Sequence, residues 1–191
     1  MMSRIIAGRG RGRRLKSAPG HATRPTGGRV RQTLFDILAP EVPGCRFLDA
    51  FAGSGGVGLE ALSRGAARVV LVDKSRAAIQ AVRENARALA AGGGEVEIFQ
   101  QDARTALDAL ADQGRRFDIV YLDPPYASDL YERLLSALGA GTLLAEGGLV
   151  VAEHFHKRAL PETIGSLEQT RIVRVGDHRL SFYRRRDERA A

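Results

Sequence analysis

The sequence predicts an α/β fold. Its sheet is mainly parallel and covered by helices on both faces, with a C-terminal antiparallel hairpin and a small basic N-terminal extension. Three observations predict it. Short apolar runs recur at 46–50, 68–72, 95–99, 117–122 and 148–152, with stretches of helical periodicity between them. Strand–helix repetition of this kind builds a parallel sheet buried on both sides. The last two apolar runs, 171–175 and 179–183, are separated only by Gly176, Asp177 and His178, which is hairpin spacing. Finally, nine basic side chains crowd into residues 1–31, ahead of the first acid, Asp36.

The basic segment comes first. It holds Arg4, Arg9, Arg11, Arg13, Arg14, Lys16, Arg24, Arg29 and Arg31. Ile5, Ile6 and Ala7 can pair with Leu15 in a short hairpin around Gly8–Gly12. The rest of the chain has 20 basic and 22 acidic residues, so the net charge of +7 belongs to the front end. A near-neutral body behind a basic front suggests a polyanionic partner. Arginine outnumbers lysine eight to one here, and its planar fork suits phosphates and base faces. The spacing then predicts a helix over 26–38, with Leu34, Ile37 and Leu38 on one face and Pro40 as its stop.

Strand 46–50 runs into a glycine loop, Phe51–Gly58, and a helix over 59–64. Strand 68–72 ends at Asp73. A helix over 75–90 shows Ile79, Val82, Ala86 and Leu89 on one face and ends at Gly92-Gly93-Gly94. Strand 95–99 leads to Asp102 and a helix over 103–111. Strand 117–122 leads to Asp123-Pro124-Pro125-Tyr126, and then to a helix over 128–138 marked by Leu130, Leu134 and Leu138. Asp49, Asp73, Asp102 and Asp123 thus lie at or just beyond the carboxyl ends of successive strands. Open parallel sheets bind their ligands at that edge. One such acid is commonplace as a helix N-cap. Four in succession, with a glycine loop among them, make a site.

Composition removes several classes. With 44% hydrophobic residues the chain can build a core. No apolar run approaches the ~18 residues of a membrane span. The N-terminal charges precede no apolar stretch of the signal-peptide type. A single cysteine, Cys45, excludes a disulfide framework and a cysteine-based metal cluster. His154 and His156 share one face of a strand without a third ligand, so no metal is expected. A cytoplasmic monomer is expected, with residues 1–40 as an RNA-binding extension (hairpin and helix) and 41–191 as the catalytic domain.

The glycine loop admits two cofactors. Gly53, Gly55 and Gly58 fit G-x-G-x-x-G, and Asp73 follows Gly53 by twenty residues, which permits a nicotinamide dinucleotide. An acid in that position accepts from the ribose hydroxyls of any adenosine. Asp49 tilts the choice, because a carboxylate beside the loop repels a pyrophosphate and attracts the amino group and sulfonium of S-adenosylmethionine. Asp102 is placed either to accept from the adenine amino group or to cap the next helix. Candidate cofactor contacts are therefore Asp49, Phe51, Gly53, Ser54, Gly55, Gly58, Asp73, Lys74, Asp102 and Ala103.

Asp123-Pro124-Pro125-Tyr126 suits the gripping of an amino group on a flat heterocycle. An ionised Asp only accepts hydrogen bonds, and a proline carbonyl accepts with no N–H beside it. Tyr126 offers a stacking face worth ~1–3 kcal/mol per base. This is the motif of amino-group methyltransferases, and these four residues are the candidate catalytic group.

Together, the stretch Leu48–Ala66 and Asp123–Tyr126 resemble a class I S-adenosylmethionine-dependent methyltransferase. The front end, Arg4-Ile5-Ile6-Ala7-Gly8 with Arg24-Pro25-Thr26 and Arg29–Phe35, is similar to the bacterial 16S rRNA (guanine(966)-N(2))-methyltransferase family. The resemblance spans nearly the whole chain. It implies a Rossmann-like seven-stranded sheet, methylation of a guanine N2 in small-subunit ribosomal RNA, and a substrate that is assembled or assembling 30S ribonucleoprotein. Candidate RNA contacts are Arg4, Arg9, Arg11, Arg13, Arg14, Arg24, Arg29 and Arg31. Gly10 stands where an aromatic residue is frequent in the family, and Gly56 where alanine is.

Three rivals have distinguishable signatures. A DNA adenine-N6 methyltransferase shares the Pro-Pro-Tyr loop but often carries a separate target-recognition domain. A protein glutamine-N5 methyltransferase more typically has Asn before Pro-Pro-Tyr and needs no basic front end. An RNA-binding assembly factor without catalysis explains the charge but not the four strand-end acids.

Overall fold

A computed structural model describes residues 3–17, 27–89, 93–125 and 129–186. The chain divides into two compact units, Met1–Ala106 and Leu107–Ala191.

The first unit holds α1 (Gly27–Leu38), β1 (Arg46–Asp49), α2 (Gly58–Ser63), β2 (Arg68–Asp73), α3 (Arg76–Leu89), β3 (Glu95–Gln100) and the start of α4 (Ala103–Asp112). Its strands run parallel in the order β3-β2-β1, with Phe47 beside Val69 and Val69 beside Val96. Both faces are covered, so β1 and β2 are nearly continuous buried runs. In α1, Val30, Leu34, Phe35 and Leu38 fall at helical spacing and are buried. Ile79, Val82, Ala86 and Leu89 do the same in α3.

The front end folds as the expected hairpin. Arg4 and Arg14 form an antiparallel bridge. Ile5 N–H donates to Arg13 C=O at 2.9 Å, and Gly12 N–H to Ile5 C=O at 2.9 Å. Ile5 and Leu15 are buried beneath it.

The hairpin lies on α2, and every residue of that short helix is buried. A polar contact set fixes it there. Glu60, fully buried, accepts from Ile6 N–H at 2.7 Å and Ala7 N–H at 2.9 Å. Ser63 donates its hydroxyl to Ala7 C=O at 2.6 Å and accepts from Gly10 N–H at 2.9 Å. Gly8 has φ +77, and a Cβ there would sit 1.9 Å from the Ser63 carbonyl oxygen, so the hairpin reaches α2 only with glycine at this point.

The second unit holds the rest of α4, β4 (Phe117–Leu122), α5 (Leu130–Ala140), β5 (Leu144–Phe155), β6 (Thr163–Ile164), β7 (Leu167–Val175) and β8 (His178–Arg185). The strand order is β4-β5-β8-β7-β6, with β4 and β5 parallel and the rest antiparallel.

Here the structure differs from the sequence expectation in extent. β5 starts four residues before 148 and ends three after 152. The register breaks between Phe117 and Ile119, where Glu146, Gly147 and Gly148 fall in a bulge that hides the strand's start. Its end is masked by Glu153 and His154, polar residues whose partners lie inside. His154 Nε2 meets Ser181 Oγ at 2.9 Å, and Glu153 Oε1 lies 2.6 Å from His178 Nδ1. β6, only two residues long, adds an edge strand to the seven expected.

Candidate cofactor cradle and amine-gripping loop

The cradle lies wholly in the first unit. β1 ends at Asp49, and the chain turns through Gly53 (φ +54) and Gly55 (φ +85), conformations that favour glycine. Gly58 serves a different need. A Cβ there would lie 2.4 Å from Leu71 Cδ2 and 3.1 Å from Val69 Cγ1, so glycine lets α2 start directly against β2.

Two carboxylates shape the loop. Asp73 Oδ2 accepts from Gly53 N–H at 2.9 Å, and its Oδ1 from Ser75 N–H at 2.8 Å. Asp73 is half-buried, and each of its oxygens accepts one of these bonds. Asp49 differs from the expectation of a direct hold on cofactor. It is 1% exposed, its Oδ2 accepts from Gly58 N–H at 3.0 Å, and its Oδ1 from Phe51 N–H at 3.4 Å. Its carboxylate ties the two ends of the loop together from beneath.

The other cradle residues divide by exposure. Phe51, Gly53 and Ser54 are half-buried, Gly55 and Ala103 are buried, and Lys74 and Asp102 are exposed. Asp102 Oδ1 accepts from Arg104 N–H at 2.9 Å, which makes it the N-cap of α4.

One residue the sequence did not flag joins this site. Asn85 of α3 is 3% exposed. Its Nδ2 donates to Ser54 C=O in the glycine loop at 2.9 Å and to Lys16 C=O at 2.9 Å, while its Oδ1 accepts from Lys16 N–H at 2.8 Å. A polar residue within the otherwise apolar face of α3 was the available signal. Glu60, a lone acid among Leu59, Ala61 and Leu62, gave a similar signal.

In the second unit, β4 delivers Asp123 to its carboxyl end. Asp123 and Pro125 are exposed, and Pro124 is buried. Tyr126 lies outside the described residues. The strand behind them is anchored by side chains. Tyr121 donates its hydroxyl to Glu153 Oε2, and Tyr131 of α5 donates to the Glu153 carbonyl at 2.6 Å.

Of the candidate RNA contacts, Arg4, Arg9, Arg11, Arg13, Arg14 and Arg29 are exposed. Arg24 lies outside the described residues. Arg31 departs from the expectation because it is 8% exposed. It donates to Ser3 Oγ at 3.0 Å and to Arg4 C=O, and its Nε lies 3.8 Å from Glu60. Its charge is used inside the unit, between α1, α2 and the hairpin. Gly56 makes room for it, since a Cβ there would lie 2.9 Å from Arg31 Nη1. Among the described residues, no group of three or more His, Cys, Asp or Glu side chains is arranged to hold a metal ion. None of the described helices is long and apolar enough to cross a membrane.

Comparison with known proteins places these features in context. Residues 3–184 match the family described as Conserved hypothetical protein 95. The ribosomal RNA small subunit methyltransferase D of Escherichia coli strain K12 is 40% identical over 158 residues, covering 83% of this chain and 77% of that protein. Its namesake from Haemophilus influenzae is 37% identical over 150 residues, covering 78% and 77%.

Among solved structures, the Escherichia coli chain yhhF superposes with a TM-score of 0.80 at 36% identity, covering 98% of this chain and 100% of that one. The Thermus thermophilus 16S rRNA N2 G1207 methyltransferase, solved with AdoMet and guanosine, gives a TM-score of 0.73 over 97% of this chain and 50% of that one. At 22% identity it shares the fold alone: mixed α/β, Rossmann-like, with a mostly parallel sheet and C-terminal antiparallel strands.

Proposed function

The chain belongs to the Conserved hypothetical protein 95 family, and on that footing we propose that it methylates the exocyclic N2 of a guanine in small-subunit ribosomal RNA. The coarser activity is that of an S-adenosylmethionine-dependent rRNA methyltransferase. The finer assignment, to guanine 966 of 16S rRNA in assembled or assembling 30S particles, rests on the front-end resemblance. With it goes a monomer working in the cytoplasm, with residues 1–40 as the RNA-docking extension of a 41–191 catalytic domain.

The cradle fits the cofactor. Asp73 keeps acceptor capacity at a strand end beside a glycine loop, as an adenosine ribose requires, and the buried charge of Asp49 beneath the loop disfavours a pyrophosphate. Asp73 would hold the ribose hydroxyls, and Asp102 would flank the adenine. Bound there, S-adenosylmethionine supplies a methyl group already activated by its sulfonium.

What remains for the protein is positioning. Guanine N2 is a poor nucleophile, because its lone pair is delocalised into the ring. Asp123 and the Pro124 carbonyl accept the two N2–H bonds and turn the lone pair out of conjugation. Orientation of this kind can be worth ~7–11 kcal/mol. The same acceptors stabilise positive charge as it develops on nitrogen, and Asp123 or water takes the proton. Tyr126 stacks on the flipped base, offsetting an unstacking cost of a few kcal/mol.

One observation carries the reading: an exposed carboxylate followed by a buried proline at the carboxyl end of β4. The test is a methylation map of small subunits from cells lacking the protein, before and after incubation with it and S-adenosylmethionine. A single guanine N2 that gains its methyl group only on incubation is the expected result. Methylation of DNA or protein instead, with ribosomal RNA untouched, overturns the proposal.

A further inference from the structure

A cavity of about 330 Å³ opens between the hairpin, the C-terminal end of α2 and the C-terminal end of α3. It is lined by Arg9, Gly10, Arg13, Leu62, Leu89 and their neighbours Ser63, Ala88 and Gly93. Its size falls at the lower end of small-ligand sites. It is separate from the cofactor cradle, because the glycine loop precedes the opposite end of α2.

Its chemistry is divided. The floor is aliphatic, with Leu62 at 4% and Leu89 at 7% exposure. Gly10 creates that floor by letting Leu89 approach the hairpin backbone, since a Cβ on residue 10 would sit 2.3 Å from Leu89 Cδ2. The rim is cationic. Arg9 and Arg13 are both exposed, and Arg9 Nη1 lies so close over Gly93 that a Cβ there would be 2.8 Å away. Ser63 adds little specificity, because its hydroxyl proton goes to Ala7 C=O and its own carbonyl accepts from Arg9 N–H at 2.8 Å.

We propose that this cavity holds one nucleotide of the RNA substrate, away from the methylated base, with the base face on Leu62 and Leu89 and its phosphate on Arg9 and Arg13. The proposal rests on the reading of this chain as an rRNA methyltransferase. The aliphatic side of the cavity suits the π face of a base, and arginine serves both phosphate and base face. The leucine side chains carry no hydrogen-bonding group, so they give little edge readout and the site tolerates all four bases. It fixes the register of the RNA on the enzyme without choosing the target.

The test uses the full chain and two fluorescein-labelled probes, a short oligouridylate and the same backbone with abasic positions, followed by anisotropy at low salt. Ala88→Leu fills the mouth with aliphatic bulk and leaves the charge unchanged. It should weaken the intact oligomer about tenfold, as expected for one lost stacked base, and leave the abasic oligomer within twofold. Arg9→Gln with Arg13→Gln should weaken both probes. S-adenosylmethionine binding by calorimetry should match wild type in every variant, which also establishes that they fold. If Ala88→Leu weakens both probes equally, or neither, the cavity holds no base and the inference fails. If the wild-type chain itself binds neither probe, the cavity inference fails, while the rRNA-methyltransferase reading stands or falls with the methylation map of small subunits.

Discussion

The proposed function gives Asp123 and Asp73 separate duties, and substitution tells them apart. Asp123 stands at the end of β4 and is assigned to the target amine. Asp123→Ala should lower single-turnover methyl transfer to small subunits by ~10²–10³-fold, as loss of a preorganised charge-stabilising group does. Cofactor affinity should stay within a few-fold. Asp123→Asn separates orientation from charge, because it keeps a carbonyl acceptor. Substantial residual activity would identify orientation as the larger effect. A wild-type rate in Asp123→Ala would remove the loop from the mechanism. Asp73 should behave in the opposite way. It accepts from both Gly53 N–H and Ser75 N–H, so Asp73→Ala loosens the loop and, on the proposed reading, removes the acceptor for the ribose as well. Calorimetry should show cofactor binding weaker by about one to two decades, matching charge-assisted bonds worth ~1.5–3 kcal/mol. Unchanged affinity would show that the ribose is held elsewhere.

At the scale of elements, the hairpin on α2 is held by a carboxylate with no exposure to water. Glu60 accepts from two backbone N–H groups and from Arg64 Nε at 2.8 Å, with Arg31 Nε 3.8 Å away. Glu60→Gln leaves two guanidinium groups facing a neutral amide. Breaking a buried pair from one side costs about 3–5 kcal/mol, so the melting midpoint should fall on the order of 10 °C for a chain of this size. The hairpin should also become the first site of limited proteolysis. A midpoint within a degree of wild type would mean that Glu60 is not what anchors it. The lone acid was visible in the sequence but its partners were not, because its acceptors serve backbone groups 53 and 54 residues away. Asn85 escaped notice for the same reason, since its partner Lys16 lies 69 residues off. By contrast, the placement of the glycine loop, Asp73 and Asp123 at strand ends was legible, because each directly follows an apolar run. The strand positions of β1 to β4 were legible from apolar runs. β5 was only half visible, because a glycine bulge opens it and a paired Glu153 and His154 close it.

Across the whole molecule, charge and protonation set the response to solvent. The excess of positive charge lies at the front end, so binding to RNA should be strongly salt-dependent. Neutralising Arg11, Arg13 and Arg14 together should reduce the slope of log affinity against log salt by about 2–3 units, with cofactor affinity unchanged. An unaltered slope would show that these side chains touch no phosphate. Acid stability has a different source. Burial lowers the His154 pKa below its ordinary 6.5, outweighing backbone hydrogen bonds that raise it. The unfolded chain therefore takes up this proton first as pH falls. Stability is unaffected by this group above the unfolded value of 6.5, declines as pH drops from there toward the lower folded value, and then levels off. Urea titrations at stepped pH should show that decline, and His154→Gln should flatten it.

The side chain of Asn85 makes the backbone at Lys16 and the backbone at Ser54 share one amide. Two ligands that each order one end of such a bridge lower the entropic cost for the other, and thermodynamic reciprocity makes the benefit equal in both directions. Cofactor in the cradle should therefore slow deuterium exchange at the Lys16 amide, although that amide belongs to the segment proposed to dock RNA. RNA should tighten cofactor by the same factor that cofactor tightens RNA. Asn85→Leu should make the two affinities independent while leaving both measurable. Equal exchange at Lys16 with and without cofactor would show that the bridge holds the fold but transmits nothing.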